Sequence, residues 1–394
     1  MLLQFRFKNF MSYGGEALFD MRAVDEISHR YHSVASGFEE ILPVAAVYGP
    51  NASGKSNFIK AFKFMTNHVL NGSNLDDMQH CAFALDVETE KDPSEFEVLF
   101  SMGAGDESEV YNYGFVIGTS GILEEWLNLK TSAESGFLSI FYREMNAIDD
   151  DHLLGVDTSS INERLESSVL LLSLCDELEL QILRPVYEWF GGNAVLTDMP
   201  DPVSCEPDGN VVKYLKACGL CVEGMVVDDG NEDCKIRLLH KVKDSEELVP
   251  MPFEMESSGT KKLLSLYGYL SESIRHGSLL MIDDLDVHLH PLVVRLMISA
   301  FTDPDINPHH AQLVFTTHDS WQLDSDMLHR DECWFVDMND DHESELYALS
   351  EFKICDSSSK GKNRNIQNDQ MLGKFGAIPE IIPLDMLNKQ VMDV

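Results

Sequence analysis

The segment from Val47 to Phe62, VYGPNASGKSNFIKAF, places the tightest constraint on the fold of this 394-residue chain. Its centre, from Gly49 to Ser56, matches the pattern G-x-x-x-x-G-K-[ST] in full. The apolar run ILPVAAVYG leads into the motif, and apolar residues at a helical spacing follow it. This order predicts a buried strand, a glycine-rich loop and a helix.

A loop of this kind binds the phosphates of a nucleotide. Its glycines let backbone N–H groups face the phosphates, and the following helix contributes the positive end of its dipole. Lys55 is expected to reach the β- and γ-phosphates, and the Ser56 hydroxyl is expected to bind Mg²⁺. The predicted nucleotide-binding residues here are Gly49, Pro50, Asn51, Ala52, Ser53, Gly54, Lys55, Ser56 and Asn57. A chance glycine-rich turn, the alternative, would not need a strand and a helix on its two sides.

A second apolar strand ends in two carboxylates, in the segment LLMIDD from Leu279 to Asp284. Asp283 is predicted to hold Mg²⁺ through water, as the acid of a Walker-B strand does. Asp284 follows it, where a general base for an attacking water belongs. The alternative is a pair of solvated acids at a strand end, which a complete P-loop in the same chain makes less favourable.

Two shorter motifs complete the candidate site. SSGTKK, from Ser257 to Lys262, opens a predicted helix about twenty residues before the acidic strand, and a Ser-Gly pair at a helix N-terminus can bind an anion. Alone this signal is weak, because Ser is simply a good N-cap. His318 ends a further apolar strand, LVFTTHD. A lone His is more often structural, but the carboxyl edge of an α/β sheet is where ligands bind.

The rest of the pattern indicates an α/β core with an insertion. Residues 2–22 alternate as a β-hairpin does, and segments between about 75 and 150 alternate as in an antiparallel sheet. Residues 159–190 are predicted to be helical with a break near Pro185. Strands resume after a polar, proline-rich loop at 196–210 and continue to about residue 255.

The net charge of −38 limits the partners of the chain. So acidic a surface repels phosphate backbones, which disfavours bulk binding to DNA or RNA and favours a basic protein partner. An organism whose proteins are generally acidic would give the same charge. No apolar run approaches the roughly 20 residues that span a bilayer, and the N-terminus does not resemble a secretory signal. Eight scattered Cys without a disulfide-like spacing fit a reducing cytosol, so we expect a cytoplasmic protein.

The order of these motifs resembles the ATPase head of the ABC class, in its SMC/RecF-like branch. The start RFKNFMSYGGEALFDM resembles the opening strands of that branch. More closely, the chain is similar to the AbiL-type, OLD-like ATPases of prokaryotic anti-phage defence. The segments that carry this resemblance are YGPNASGKSNFIKAF, ESSGTKKLL, IDDLDVHLHP, QLVFTTHD, DECWFV, LSEFK and GKFGAIP. The similarity runs almost the whole length and is weakest at about 145–250.

This resemblance implies ATP and Mg²⁺ as cofactors, and a homodimer or higher oligomer formed through the ATP sites. The residues implied to contact the γ-phosphate bound by the other subunit are Ser258, Gly259 and Thr260. Asp286 would lie at the dimer seam, and His318 would sense the γ-phosphate. Lys8 and Asn9 match the N-terminal nucleotide contacts only loosely, and Gln79 is the nearest residue to a Q-loop glutamine.

The implied function is that of a sensor or regulatory subunit in an abortive-infection complex. OLD nucleases carry a Toprim domain after the His motif, and the short segment after His318 leaves no room for one, so an effector nuclease or toxin would act in trans. The expected parts are an ATPase N-lobe at 1–74, an inserted strand and helical subdomain at 75–250, an ATPase C-lobe at 251–350, and a C-terminal extension at 351–394 as a candidate docking surface.

Asp284 departs from the family pattern, which has Glu at this position. One methylene less moves a carboxylate by roughly 1.5 Å. An error of that order can lower a rate about a hundredfold. The residue therefore predicts slow hydrolysis and a long-lived ATP-bound dimer.

Other interpretations stay open. Two metal sites can be drawn, a zinc site from Cys218, Cys221, Cys234 and His240, and a cluster from Asp284, Asp286, His288 and His290. Buried structural cysteines and an ordinary helix start are the more common explanations. A DNA-repair or chromosome-structure ATPase of the SMC/RecF type would predict a basic groove and usually a long coiled-coil arm, and neither pattern is visible. A non-hydrolysing scaffold that uses ATP as structural glue is the third alternative.

Overall fold

A computed structural model describes residues 1–24, 33–72, 81–86, 89–103, 108–148, 161, 165–200, 209–228, 235–323, 327–352 and 366–379. These residues form two large β-sheets with helices packed against them, which gives a mixed α/β fold. One sheet is mostly parallel and carries the P-loop. The other sheet is antiparallel and contains both strands of the predicted N-terminal hairpin.

The mostly parallel sheet has six strands in the order β11-β15-β16-β5-β17-β18. Its strands are β5 (Val44–Tyr48), β11 (Ala194–Leu196), β15 (Leu279–Ile282), β16 (Gln312–Thr317), β17 (Cys333–Met338) and β18 (Ser344–Ala348). Only the pairing of β18 with β17 is antiparallel. The strands β5, β15 and β16 are buried along their whole length, which explains their uninterrupted apolar sequences. Because β16 lies between β5 and β15, the residues that follow these three strands meet at one edge.

The antiparallel sheet has seven strands in the order β10-β9-β8-β7-β6-β1-β2. Its strands are β1 (Leu2–Phe10), β2 (Tyr13–Asp20), β6 (Ser94–Met102), β7 (Glu109–Gly118), β8 (Gly121–Lys130), β9 (Leu138–Glu144) and β10 (Ala147–Ile148). The predicted hairpin and the predicted antiparallel strands are confirmed. However, β1 pairs directly with β6, so a single sheet crosses the boundary expected at residue 75. The N–H and C=O groups on the second side of β1 find their partners in this way.

Six helices complete the described parts of the chain. They are α1 (Lys55–Asn71), α2 (Arg184–Gly192), α3 (Gly209–Ala217), α4 (Ser258–His276), α5 (Pro291–Thr302) and α6 (Ile366–Met371). The first, α1, packs on the antiparallel sheet through aromatic contacts. The Phe62 ring centroid lies 5.1 Å from that of Phe5, and the Phe58 centroid lies 5.0 Å from that of Phe19.

The strand β5 separates two hydrophobic cores. Ala45 and Val47 belong to the core that holds α1 and the antiparallel sheet. Val44 and Ala46 point to the other face and belong to the core that contains buried residues of α4 and α5. This alternation follows from the two-residue period of a strand. It fixes the P-loop between two packed layers.

The prediction of a helix over 159–190 is wrong for most of the residues that the structure describes in this range. Residues 165–183 form turns, and the α-helix begins only at Arg184. Pro185 lies in the first turn of α2, where a missing N–H needs no partner, so it starts this helix and does not interrupt it. Two backbone N–H groups of the preceding turns donate to the carboxylate of Glu125 on β8, and these tertiary hydrogen bonds replace helical ones.

The smaller elements lie around these layers. They are the three-stranded sheet β12 (Gly224–Asp228), β13 (Lys235–Lys241) and β14 (Leu248–Pro252), the hairpin β3 (Val34–Ser36) and β4 (Glu39–Ile41), and short 3₁₀ turns at Thr89–Lys91, Leu172–Leu174, Phe253–Met255, Ser320–Gln322 and Leu349–Glu351. The strands expected before residue 255 are confirmed. Across the described ranges, none of the helices combines the length and apolarity needed to cross a membrane.

Candidate nucleotide-binding site

The P-loop follows β5 at the carboxyl edge of the parallel sheet and leads into α1. Gly54 has a φ angle of 110°, in the left-handed region that favours glycine. A Cβ at Gly54 would collide with the Ser344 hydroxyl, and a Cβ at Gly49 would collide with the carbonyl oxygen of Val336 on β17. The packing of the loop therefore requires both motif glycines.

The first turn of α1 is an uncapped helix N-terminus. Gly54 provides no side-chain cap and the turn contains no acidic residue, in a chain where Asp and Glu outnumber Lys and Arg by 67 to 29. The first N–H groups of a helix have no partner within it and carry the positive end of its dipole. Asn51 and Ala52 are exposed at the tip of the loop, and Ser53 is buried beneath it. This arrangement fits a bound phosphate.

Hydroxyl groups support the underside of the loop. Ser344 Oγ, at the start of β18, lies 2.6 Å from the carbonyl oxygen of Ser53 and 2.7 Å from Ser12 Oγ. Asn57 Nδ2 donates to the same Ser12 Oγ at 2.8 Å. Asn57 therefore anchors α1 to the turn between β1 and β2, and its side chain is engaged below the loop.

Lys55 extends back across its own loop. Its Nζ donates to the carbonyl oxygens of Gly49 at 2.9 Å and Pro50 at 2.8 Å, and lies 3.5 Å from His318 Nδ1. Burial lowers the pKa of Lys55, and the charges of nearby carboxylates oppose this shift. A partly buried ammonium that is held by neutral carbonyl groups remains suited to an anionic ligand.

The carboxylates after β15 are held by β16. Thr316 Oγ1 donates to Asp283 Oδ1 at 2.6 Å and accepts from the Asp284 N–H at 2.7 Å. Asp284 has a φ angle of 49°, which is uncommon for a residue other than glycine. Ser56, half-buried in the first turn of α1, and Asp283 supply hydroxyl and carboxylate oxygens, the kind of ligand that Mg²⁺ prefers.

Asp284, His318 and Lys55 lie in a row across this edge. His318 Nε2 is 3.4 Å from Asp284 Oδ1, while His318 Nδ1 faces Lys55 Nζ. Because the ammonium can only donate, Nδ1 is the acceptor and Nε2 carries the proton. Burial and the neighbouring Asp283 raise the pKa of Asp284, while His318 and Lys55 oppose the shift. A carboxylate whose pKa is raised is a better proton acceptor for a general-base role.

Lys262 on α4 brings a second buried cation to the same carboxylates. Its Nζ donates to the backbone carbonyl oxygen of Asp284 at 2.6 Å. Burial lowers the pKa of Lys262, and the charges of Asp286, Asp284 and Asp283 oppose this shift. Within the described residues, Asp284 Oδ1 and Asp286 Oδ1 are buried and make no hydrogen bond, and His318 Nε2 lies 3.4 Å from the first of them. Such oxygens call for a cation, a donor or water.

The helix α4 begins at Ser258, which is exposed to solvent. Ser257 is the N-cap, and its Oγ accepts from the N–H of Thr260 at 3.1 Å. Ser258 is exposed, Gly259 is half-buried and Thr260 is buried. Gly259 lies against the carbonyl oxygen of His288, which a Cβ would approach to 2.9 Å. The structure thus places this motif beside the segment after the Walker-B strand, with Ser258 facing solvent.

Asn9 has a structural role and is no part of the P-loop contacts. It is fully buried, and its side-chain amide donates to two backbone carbonyl oxygens in the turn at 89–92. Lys8 is exposed on β1. From this part of the chain, Tyr13 contacts the P-loop through its OH, which donates to the carbonyl oxygen of Gly54 at 3.2 Å, and Ser12 lies beside it. Gln79 lies outside the described residues.

The two alternative metal sites gain no support from the geometry. Where the structure describes the chain, no group of three or more His, Cys, Asp or Glu side chains is placed to hold an ion. His240 contacts Glu256 through Nε2 at 2.8 Å and the carbonyl oxygen of Cys221 through Nδ1 at 3.2 Å. His290 caps α5 by accepting a backbone N–H. Cys234 lies outside the described residues, so the structure does not test the zinc alternative.

Three residues of this site, Thr316, Lys262 and Ser344, are missing from the sequence predictions. Thr316 had a weak local signal, a hydroxyl residue near the end of an apolar strand. Lys262 stands inside the SSGTKK motif, but the motif does not say that its side chain turns inward. Ser344 has no local signal, because the chain brings it to the P-loop from 291 residues away.

A complete P-loop, two strand-end carboxylates and a polar histidine at one edge of a parallel sheet define a P-loop ATPase fold. These groups fit a nucleotide with bound Mg²⁺. The uncapped helix end offers N–H groups to phosphate, and two carboxylate oxygens have no hydrogen-bond partner among the described residues.

The chain matches the family model described as "AAA domain, putative AbiEii toxin, Type IV TA system" over residues 44–146 and 229–321, together just under half of its length. The two matched segments contain the P-loop, the helix start at Ser257, both Walker-B carboxylates and His318. The match supports a P-loop ATPase family linked to abortive infection. Comparison with curated proteins finds no match to this chain.

Proposed function

We propose that this chain is an ABC-class ATPase of the SMC/RecF-like, AbiL/OLD-like type, which binds ATP with Mg²⁺ and hydrolyses it slowly. The observation that carries the proposal is the row formed by Lys55, His318 and Asp284 at one sheet edge, with contacts of 3.5 Å and 3.4 Å. A cation for phosphate, a polar sensor and a base are in this way contributed by the segments that follow three neighbouring strands.

Each residue has a proposed task. Lys55 and the N–H groups at the start of α1 bind phosphate oxygens, and Ser56 and Asp283 are the residues that would hold Mg²⁺. Asp284 accepts a proton from water, and His318, whose Nε2 lies 3.4 Å from that carboxylate, senses the γ-phosphate. When bound, Mg·ATP would supply the phosphoanhydride and the charge that these groups are arranged to stabilise.

Slow turnover follows from the short side chain of Asp284. Lengthening it by one methylene in Asp284→Glu should raise the single-turnover rate of phosphate release at least about tenfold, since a carboxylate misplaced by about an ångström costs much of the rate. Asp284→Asn should remove the base and nearly abolish turnover. The matched control is Asp283→Glu, which adds the same methylene to the acid that would hold Mg²⁺ and should not accelerate hydrolysis. An Asp284→Glu rate no higher than that of the wild type would sink the slow-hydrolysis proposal.

Dimerisation on ATP is the next part of the proposal. Ser258 is exposed at the start of α4, where helix N–H groups can meet an anion bound by a second copy. Asp284→Asn, blocked in hydrolysis, should shift from monomer to dimer in light scattering when Mg·ATP is added. Adding Ser258→Arg should prevent the shift without lowering ATP affinity. A monomer under all conditions would contradict this part alone.

The proposed cellular role is that of a sensor or regulatory subunit in a defence complex, with a separate nuclease or toxin as effector. The family match to an abortive-infection AAA domain supports it, and the net charge of −38 favours a basic protein partner over bulk DNA. Phage plating on cells that carry the chain and its neighbouring genes, with and without Lys55→Met, tests the role. Protection that depends on Lys55 is expected, whereas hydrolysis that requires DNA and no protection would favour the DNA-repair alternative.

A further inference from the structure

Strand register places Thr316 beside the Walker-B carboxylates. The strands β15 and β16 are parallel, and the last paired residues are Ile282 and Phe315. One step further along both strands, Asp283 and Thr316 are therefore neighbours across a strand spacing of about 4.8 Å. Thr316 is fully buried at this edge.

The Thr316 hydroxyl uses both of its hydrogen-bonding capacities on consecutive residues. It donates its single proton to Asp283 Oδ1 at 2.6 Å and accepts from the Asp284 N–H at 2.7 Å. The backbone carbonyl oxygen of Thr316 accepts from the N–H of Leu285 at 3.1 Å. Three successive residues after β15 are thus fixed by one residue of β16.

We propose that Thr316 is a positioning residue for the candidate ATPase reaction, an inference that rests on the function proposed above. Its hydroxyl holds one oxygen of the Asp283 carboxylate, which would leave the other oxygen to bind Mg²⁺. Its acceptor lone pair holds the Asp284 backbone in the left-handed conformation, with a φ angle of 49°. One side chain therefore positions both Asp283, the acid that would hold the metal, and Asp284, the general base.

A purely structural role has different consequences. Threonine is favoured in strands for its branched Cβ, and valine keeps that shape while it removes the hydroxyl. Serine keeps the hydroxyl and loses the branch. The Val and Ser variants therefore separate shape from hydrogen bonding at this position.

The test compares Thr316→Val, Thr316→Ser and the wild type in ATP hydrolysis across a range of Mg²⁺ concentrations and in calorimetric titration of Mg²⁺ into the ATP-bound protein. Thr316→Val should raise the Mg²⁺ concentration for half-maximal rate about tenfold and lower kcat about tenfold, the size expected for losing a hydrogen bond to a charged group. Thr316→Ser should stay within about threefold on both measures. Thr66→Val is the matched control, because Thr66 is buried and its hydroxyl makes no hydrogen bond among the described residues.

Each outcome decides the inference. If Thr316→Val matches the wild type, or if Thr316→Ser loses as much as Thr316→Val, the hydroxyl does not position the carboxylates. If Thr316→Val does not fold, Thr316→Ala against Thr316→Ser gives the same comparison, with melting temperature as the check. A wild-type chain that neither binds nor hydrolyses Mg·ATP would instead overturn the proposed function, which separates the two failures.

Discussion

The molecule concentrates charge in two places and treats it in opposite ways. In the antiparallel sheet, Glu125 and Arg143 form an ion pair at 3.2 Å with both side chains 0% exposed. At the edge of the parallel sheet, the carboxylates of Asp284 and Asp286 share a small region with Lys55 and Lys262. Both places contain cations and anions. Only in the first, which we call the complete pair, does every charged group have its hydrogen-bond partners within the protein; we call the second the incomplete edge.

Every polar atom of the first place has a protein partner. The Glu125 carboxylate accepts from Arg143, from Tyr113 and from two backbone N–H groups. The Arg143 guanidinium also donates to three backbone carbonyl oxygens. Most of these bonds reach the turns at 165–172, so the pair holds that segment against the sheet.

The second place is left incomplete. Asp284 Oδ1 and Asp286 Oδ1 have no hydrogen bond within the described residues, and Lys55 is held by carbonyl groups instead of an anion. Asp284 is also held in a strained backbone conformation. The Glu125–Arg143 pair, whose hydrogen bonds are all made within the protein, stabilises the structure. The carboxylate oxygens without hydrogen-bond partners at the sheet edge indicate a site for a ligand.

Breaking the complete pair should have the largest effect. Glu125→Ala leaves a buried, uncompensated guanidinium and should lower the free energy of unfolding by about 3–5 kcal/mol. Denaturant titration measures the change. Glu144→Ala, at an exposed carboxylate of the adjacent strand, should change it by less than about 0.5 kcal/mol. An equally small change for Glu125→Ala would show that the pair does not hold the turns.

Glu332 sharpens the comparison, because within the described residues one oxygen of its carboxylate has no hydrogen bond, although it lies at the amino end of β17 and not at the carboxyl edge of the sheet. It is fully buried before β17, and its other oxygen accepts from the N–H of His329 at 2.6 Å. Burial raises the pKa of Glu332 from 4.5 to about 8. A proton, and not a ligand, is expected to satisfy this carboxylate at neutral pH.

The sign of the pH effect follows from that proton. Between pH 4.5 and about 8, the folded state keeps a proton that the unfolded state releases, so stability should fall as pH rises through this window. Glu332→Gln removes this dependence. The stability of the variant relative to the wild type should therefore increase by on the order of 3 kcal/mol from pH 5 to pH 8. The exposed control Glu345→Gln should show no such trend, and parallel profiles for Glu332→Gln and the wild type would contradict the account.

A substitution at Lys262 should have a smaller effect, on the turnover that depends on the incomplete edge. Lys262→Met removes the donor to the Asp284 carbonyl oxygen and a positive charge near three carboxylates. We expect turnover to fall about tenfold, apparent Mg²⁺ affinity to rise a few-fold, and stability to hold, because a partly desolvated cation is removed. Lys261→Met, at the neighbouring lysine that contacts Glu254 O, should change none of these values. A loss of stability without a change in turnover would make Lys262 structural.

The local parts of this architecture could be predicted from sequence. The strand, loop and helix around Gly49–Ser56, the buried strand before Asp283 and the helix that starts beside Ser257 each have a pattern contained within about twenty residues. Their common position at one edge follows from the rule that ligands bind at the carboxyl ends of parallel strands.

The long-range parts could not be predicted. The pairing of β1 with β6 joins residues about ninety positions apart, so the hairpin and the supposed insertion share a sheet that no local pattern shows. The turns at 165–183 have a helical apolar pattern, but the buried carboxylate of Glu125 captures their backbone N–H groups. Thr316 is similar, since its role depends on the register between two strands.

Direct measurement of Mg·ATP binding by calorimetry tests the central claim, that the incomplete edge is a nucleotide site. The wild type should bind ATP in the presence of Mg²⁺, and Lys55→Met should bind about a hundredfold more weakly because it lacks the charged donor to phosphate. The variant should melt at or above the wild-type temperature, since burial lowers the pKa of Lys55 and so disfavours its charge. Equal affinities in the two proteins, or no binding by the wild type, would contradict the account.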